Sequence, residues 1–196
     1  MPQLTQIKET KKGRMALFFD GEFAFSLDAD TFAKADLHEE DLLEEWQIED
    51  LRKQSDTRRA LDKAMDYLSL RDHAAGELYQ KLCRKFDEHS AAYAVARAGE
   101  LGLLNDADFA RRRAAELLRK RKSRREILLD LTAKGIDRDT AAEADDGEDP
   151  ELVNARALVE RHYAAKLAAG KRDQVAAALA RRGFSHSVIR AALAED

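Results

Sequence analysis

The chain has 196 residues, 44% of them hydrophobic and 37% charged, with only 2 Pro and 9 Gly. That composition argues against a disordered tail, and the length against a barrel or a large multidomain enzyme; one domain, two small ones or a stack of helical repeats all fit. The formal charge of −4 would disfavour a nucleic-acid partner, but it averages over a segregation: residues 1–50 carry −8, residues 111–135 carry +7 and residues 136–150 carry −6.

The first residues contain no apolar leader, and no window of 18 consecutive apolar residues follows. The one cysteine, Cys83, can make no internal disulfide. These features predict a soluble, cytoplasmic protein. Residues 1–30 contain short apolar runs, Leu4 to Lys8, Arg14 to Phe19 and Glu22 to Leu27, separated by Lys12-Gly13 and Asp20-Gly21. Asp-Gly between apolar runs predicts a hairpin, because a type I′ turn needs positive φ at both central residues. A small β-hairpin or meander is expected here, with Phe19, Phe23 and Phe25 giving it apolar bulk against something helical.

From about Asp30 onward the pattern is helical. Residues 31–57 form an acidic helical linker segment, in which Leu42, Leu43, Trp46 and Leu51 recur near a 3.6 period before the polar break Gln54-Ser55-Asp56-Thr57. Leu61, Met65 and Leu68 then resume the pattern, and the rest is rich in the helix formers Ala, Leu, Arg and Glu. Self-comparison aligns the segments starting at Glu77, Glu126 and Gln174, at offsets of 49 and 48 residues. Each contains an apolar i, i+4 pair, Leu78/Leu82, Ile127/Leu131 and Val175/Leu179, followed by a basic residue. Gly135 and Gly183 stand where a helix C-terminus favours a left-handed residue; the first copy has no such Gly. The arithmetic predicts three helical repeats, 58–108, 109–149 and 150–196, each of about three short helices. The acidic stretch Asp145 to Pro150 reads as a solvated connection or a helix cap, and Asn105-Asp106 as a helix start.

The candidate site is a run of cations. Arg111, Arg112, Arg113, Arg119, Lys120, Arg121, Lys122, Arg124 and Arg125 fall in fifteen residues with Glu116 as the only acid. At 100° per residue they cannot share one face, so they wrap the end of one helix and the start of the next. Their mutual repulsion favours a partner, phosphate or acidic protein, over a merely solubilising face. The lack of Phe, Tyr or Trp among them gives no support to base stacking. Lys171, Arg172, Arg181 and Arg182 form a second candidate patch.

Other chemistry finds little footing. The histidines His38, His73, His89, His162 and His186 lack metal-site spacing and read as surface or cap residues. Asp137-Arg138-Asp139 fails as a calcium loop because Ala142 stands where Gly is required. Cys83 reads as a buried, inert thiol. There is no phosphate loop, dinucleotide fingerprint or nucleophile elbow, so neither an enzyme nor a cofactor or metal is expected.

Taken together, Tyr67-Leu68-Ser69, Glu77-Leu78, Lys81-Leu82, Gly102 to Asp106 with Phe109-Ala110, Lys134-Gly135-Ile136 and Arg181 to Phe184 resemble the RecX family of RecA regulators. The segment Phe19 to Phe25 is similar to the hairpin extension of longer members. The resemblance implies a mainly α fold of tandem three-helix repeats forming a curved, elongated molecule, carrying the N-terminal hairpin. It implies a non-enzymatic regulator of homologous recombination, DNA repair and the SOS response. Such a regulator binds the groove of the RecA–single-stranded DNA filament and limits its ATP hydrolysis and strand exchange. The basic residues above are then the expected contacts to recombinase or DNA, a placement that rests on charge. The alternatives are a general nucleic-acid-binding helical protein and a helical adaptor for another acidic partner.

Overall fold

A computed structural model describes residues 1–144 and 148–194 of the chain. Three strands, β1 (Leu4–Glu9), β2 (Met15–Phe19) and β3 (Glu22–Leu27), precede ten helices: α1 (Ala29–Ala35), α2 (Glu45–Leu70), α3 (Ala75–Leu82), α4 (Glu88–Glu100), α5 (Asp106–Arg119), α6 (Arg124–Ala133), α7 (Arg138–Glu143), α8 (Glu148–Ala168), α9 (Arg172–Arg181) and α10 (His186–Ala192). The chain divides into two compact units, residues 1–71 with 78–103, and residues 72–77 with 104–196.

In the first unit the strands form an antiparallel meander in the order β1-β2-β3. Asp20 and Gly21 make the β2–β3 turn with φ of 49° and 86°, the left-handed pair that the sequence predicts. Leu4, Leu17, Phe19, Phe25 and Leu27 pack with Leu43 and with Leu51 of α2. Phe23 departs from expectation. Leu17 pairs with Phe25 and Phe18 with Phe23, so Ala24 is an extra residue in β3. That bulge reverses the alternation and turns Phe23 to the outer face, 60% exposed, where its ring meets Phe18 edge-on at 5.7 Å.

The expected polar break at Gln54 to Thr57 is absent, since α2 runs through it. Ser55 is buried and points at the sheet, its Oγ donating to the Ser26 carbonyl at 2.7 Å. The Arg14 guanidinium donates to the same carbonyl at 2.6 Å and to Ser55 Oγ at 3.2 Å. Burial lowers the Arg14 pKa from its ordinary value. A polar patch read as a linker is therefore the seam that docks α2 on the sheet. The apolar period starting at Leu42 also fails: Leu42 lies in an isolated bridge to Gln3, and Trp46 in the first turn of α2 is 69% exposed. Farther along, α2 packs on α4 through Ala60, Ala64, Ala91, Ala94 and Ala98, all fully buried, whose small side chains permit close approach. Cys83 is half-buried, correcting the expectation of a buried thiol, and its hydrogen bond with the Tyr79 hydroxyl raises the tyrosine pKa.

The second unit holds two helix triplets, each with its own core. Ala110, Ala114 and Leu117 of α5 meet Ile127 and Leu131 of α6 and Ala141 of α7. Leu158 and Val159 of α8 meet Val175 and Leu179 of α9 and Val188 and Ile189 of α10. All three i, i+4 pairs named from the sequence are fully buried. Asn105 caps α5 by accepting the Asp108 N–H at 2.9 Å. Asp106 instead accepts the Ala75 N–H at 2.9 Å, at the start of α3. Asp137, rejected as a calcium ligand, caps α7 by accepting the Asp139 and Thr140 N–H groups. His73 is buried, not a surface residue. Of the acidic stretch, residues 145–147 lie outside the described residues and residues 148–150 begin α8.

Candidate functional site

The basic run follows the helix boundary as expected. Arg111, Arg112, Arg113 and Arg119 belong to α5, Lys120, Arg121 and Lys122 to the turn, and Arg124 and Arg125 to the first turn of α6. The turn is fixed at both ends. Ser123 caps α6 in a capping box with Glu126, and its buried hydroxyl donates to the Arg182 carbonyl at 2.7 Å. At the same helix start, buried Glu151 of α8 accepts the Arg124 N–H at 3.1 Å.

The electrostatics differ from the sequence reading, in which nine cations faced a single acid. Arg113 makes a two-pronged contact with Asp130, Nε to Oδ2 and Nη2 to Oδ1 both at 2.8 Å, and a further bond to Glu116 at 2.8 Å. This fork holds the Asp130 carboxyl below its ordinary pKa, and the arginine well above its own. Arg112 bridges Asp72 at 2.6 Å and Asp108 at 2.7 Å, while Arg111 lies 3.5 Å from Asp108. Lys120 donates to Glu116, whose pKa is held down to about 2 by its hydrogen bonds from Lys120 and Arg113. Lys122 reaches Glu126 at 2.8 Å. Burial acts to raise the Glu126 pKa, but the bonds from Lys122 and Ser123 outweigh it and the net shift is downward. The repulsion inferred from the fifteen-residue window is thus relieved by acids mostly outside it.

The basic run borders two clefts. Arg124 and Arg125 border a more apolar groove of about 430 Å³ with Leu128, Leu129 and Gly183. Arg119, Lys120, Arg121 and Lys122 line a strongly polar cleft of about 630 Å³, joined there by Arg161 and His162 of α8 and by Arg182 at the end of α9. Among the described residues its apolar wall is Leu158 and its one acid Glu126. The second candidate patch is split by its own helix: Lys171 and Arg172 start α9 while Arg181 and Arg182 end it, about 15 Å away at 1.5 Å per residue. Only Arg182 of that patch joins the polar cleft. Arg161 was not singled out from the sequence, and His162 was read only as a surface or cap residue. Their one signal is that they lie three and four residues after the core residue Leu158, on the same helical face.

Among the described residues no cluster of three His, Cys, Asp or Glu could hold a metal ion, and no helix is long and apolar enough to cross a membrane.

Comparison with known proteins places this architecture. The model of the first three-helix domain of RecX matches residues 60–97, and that of the second matches residues 105–144. The regulatory protein RecX of Bacillus subtilis (strain 168) is 30% identical over 207 residues, covering 98% of this chain and 76% of that protein. A crystal structure of regulatory protein RecX has the same fold, with a TM-score of 0.71 at 21% identity over 96% of this chain and 97% of the other. The crystal structure of RecX from Lactobacillus salivarius gives a TM-score of 0.64 at 22% identity, over 70% and 94% of the two chains. Relatedness along nearly the whole sequence and tandem three-helix units together mean that the chain belongs to the RecX family of regulatory proteins.

Proposed function

We propose that this chain is a non-enzymatic cytoplasmic regulator of homologous recombination and DNA repair. It binds the groove of the RecA–single-stranded DNA filament and slows ATP hydrolysis and strand exchange. Its helical repeats are taken as 58–108, 109–149 and 150–196, behind the 1–30 meander and the 31–57 segment. The observation that carries the reading, beside the family itself, is the concentration of cations where α5 meets α6, with Arg161 and Arg182 added from α8 and α9. A recombinase filament offers DNA phosphate and acidic protein surface in a repeating array, and a row of cations across it ties neighbouring subunits together. Such ties resist the rearrangement that accompanies ATP turnover.

Co-sedimentation with filaments assembled on single-stranded DNA with a non-hydrolysable nucleotide tests this directly. The chain should pellet with filaments and stay in the supernatant with recombinase alone. Charge reversal at Arg119 and Lys120 should weaken pelleting by at least about tenfold at 0.1 M salt. Equal pelleting of the reversed variant would remove the basic turn from the interface.

A further inference from the structure

Four cations in the polar cleft, Arg119, Arg121, Arg161 and Arg182, make no ion pair with any described residue, whereas neighbouring Lys120 and Lys122 are each engaged by a glutamate four residues away. All four are arginines, whose planar fork matches phosphate oxygens two at a time. They come from three separate segments, and two hydrogen bonds set those segments against one another. Asn154 of α8 donates to the Leu118 carbonyl at the end of α5 at 2.9 Å, and Ser123 donates to the Arg182 carbonyl at 2.7 Å. The four arginines therefore line one cleft before any ligand arrives, which reduces the ordering that binding requires.

The backbone at Arg121 supplies a separate observation. Helices α4, α5, α6, α8 and α9 all end in the same pair of bonds, a 6→1 and a 5→2 closure such as Lys122 N–H to Leu117 O and Arg121 N–H to Leu118 O. The left-handed residue of this motif is Gly102, Gly135, Gly170 and Gly183 in four of them, and Arg121, with φ of 59°, in the fifth. A side chain is strained there, and glycine is the residue that four sister caps use. The exception falls on a residue that lines the cleft. Cations at helix ends also offset the helix dipole, which accounts for Arg119 and Arg182 taken singly. It accounts neither for Arg161, in the middle of α8, nor for an arginine in a glycine conformation.

We propose that this cleft is a preformed site for a run of adjacent phosphate groups, gripped by Arg119, Arg121, Arg161 and Arg182. The volume of about 630 Å³ exceeds what one phosphate needs, and the shared chemistry is that of a nucleic-acid backbone or of a free polyphosphate. The inference deepens the reading proposed above and rests on it for its biological setting. It also sorts the basic surface: these four arginines face phosphate, while Arg111, Arg112 and Arg113 are held by Asp72, Asp108, Glu116 and Asp130.

The test uses the full chain without recombinase, so that its failure and the failure of the filament reading are separate events. Tripolyphosphate, a twenty-residue oligothymidylate and a polyglutamate of matched charge are titrated by calorimetry at 0.1 M salt. Tripolyphosphate should bind one to one, and polyglutamate at least about tenfold more weakly. The double variant Arg161→Ala/Arg182→Ala should lose at least about tenfold in affinity for tripolyphosphate. Arg121→Gly should weaken binding severalfold while melting at or above the temperature of the parent chain, because glycine relieves the strained cap. Displacement of tripolyphosphate by the oligonucleotide assigns the cleft to a strand; binding without displacement assigns it to a free polyphosphate. No tripolyphosphate binding, equal binding of polyglutamate, or unchanged affinity in both variants would overturn the proposal.

Discussion

Arg113 belongs to the basic run, yet the structure makes it a bolt between α5 and α6, and Asp130→Asn separates those two roles. The Arg113 and Asp130 side chains are only 26% and 27% exposed and share two bonds of 2.8 Å. Asparagine keeps one acceptor oxygen, so one prong and the charge are lost and Glu116 is the remaining charged partner of the guanidinium. Charge-assisted hydrogen bonds to partly buried groups are worth about 1.5–3 kcal/mol each, and the residual exposure lowers this to about 1.5 kcal/mol in all. For a chain of this size that is a fall of about 3–6 °C in Tm at pH 7. The pH dependence fixes the cause. The Asp130 carboxyl is held down chiefly by Arg113. Its contribution is therefore complete above the unfolded value of about 3.9, and is lost as pH falls through the lower folded value. Urea unfolding of both proteins at pH 7 and again near pH 3 should show the gap at the first and a narrower gap at the second, below the ordinary carboxylate value. A variant as stable as its parent at pH 7, or a gap just as wide in acid as at pH 7, would refute the assignment of Arg113 to the fold.

Two further substitutions probe close approaches in the second unit. A Cβ on Gly76 would lie 2.6 Å from the Gly135 Cα, a backbone atom that cannot swing aside. Gly76→Ala should therefore cost about 1–3 kcal/mol, read as a lowered urea midpoint with unchanged slope. Ser123→Ala removes both the α6 cap and the donor to the Arg182 carbonyl from a fully buried position, and should cost about 1–2 kcal/mol in the same assay.

The parts of this fold legible in the sequence are those set by local spacing. The pairs Ile127/Leu131 and Val175/Leu179, the glycines that end those helices and the Asp20-Gly21 turn each act within a few residues, so a pattern along the chain reports them. The misreadings concern contacts between distant segments. Ser55 looked like part of a linker because its partners, Ser26 and Arg14, lie 29 and 41 residues away. Phe23 was counted with Phe19 and Phe25 as apolar bulk, because a bulge that reverses facing leaves no mark in composition. The basic run looked unopposed because Asp72 and Asp130 stand 40 and 17 residues from the arginines they neutralise. Arg161 escaped notice for the converse reason: alone in sequence, it meets Arg119, Arg121 and Arg182 only through folding.

The central claim, a regulator that acts on a recombinase filament, is tested most directly by single-stranded-DNA-dependent ATP hydrolysis of the cognate recombinase. The assay is titrated with this chain at physiological salt, and the chain's binding to the same DNA alone is measured in parallel. Hydrolysis should fall at concentrations of the chain at which little free DNA is bound. Hydrolysis that stays constant, or falls only once the DNA itself is saturated, would contradict a filament-directed regulator and point to a protein that simply coats DNA or serves another partner.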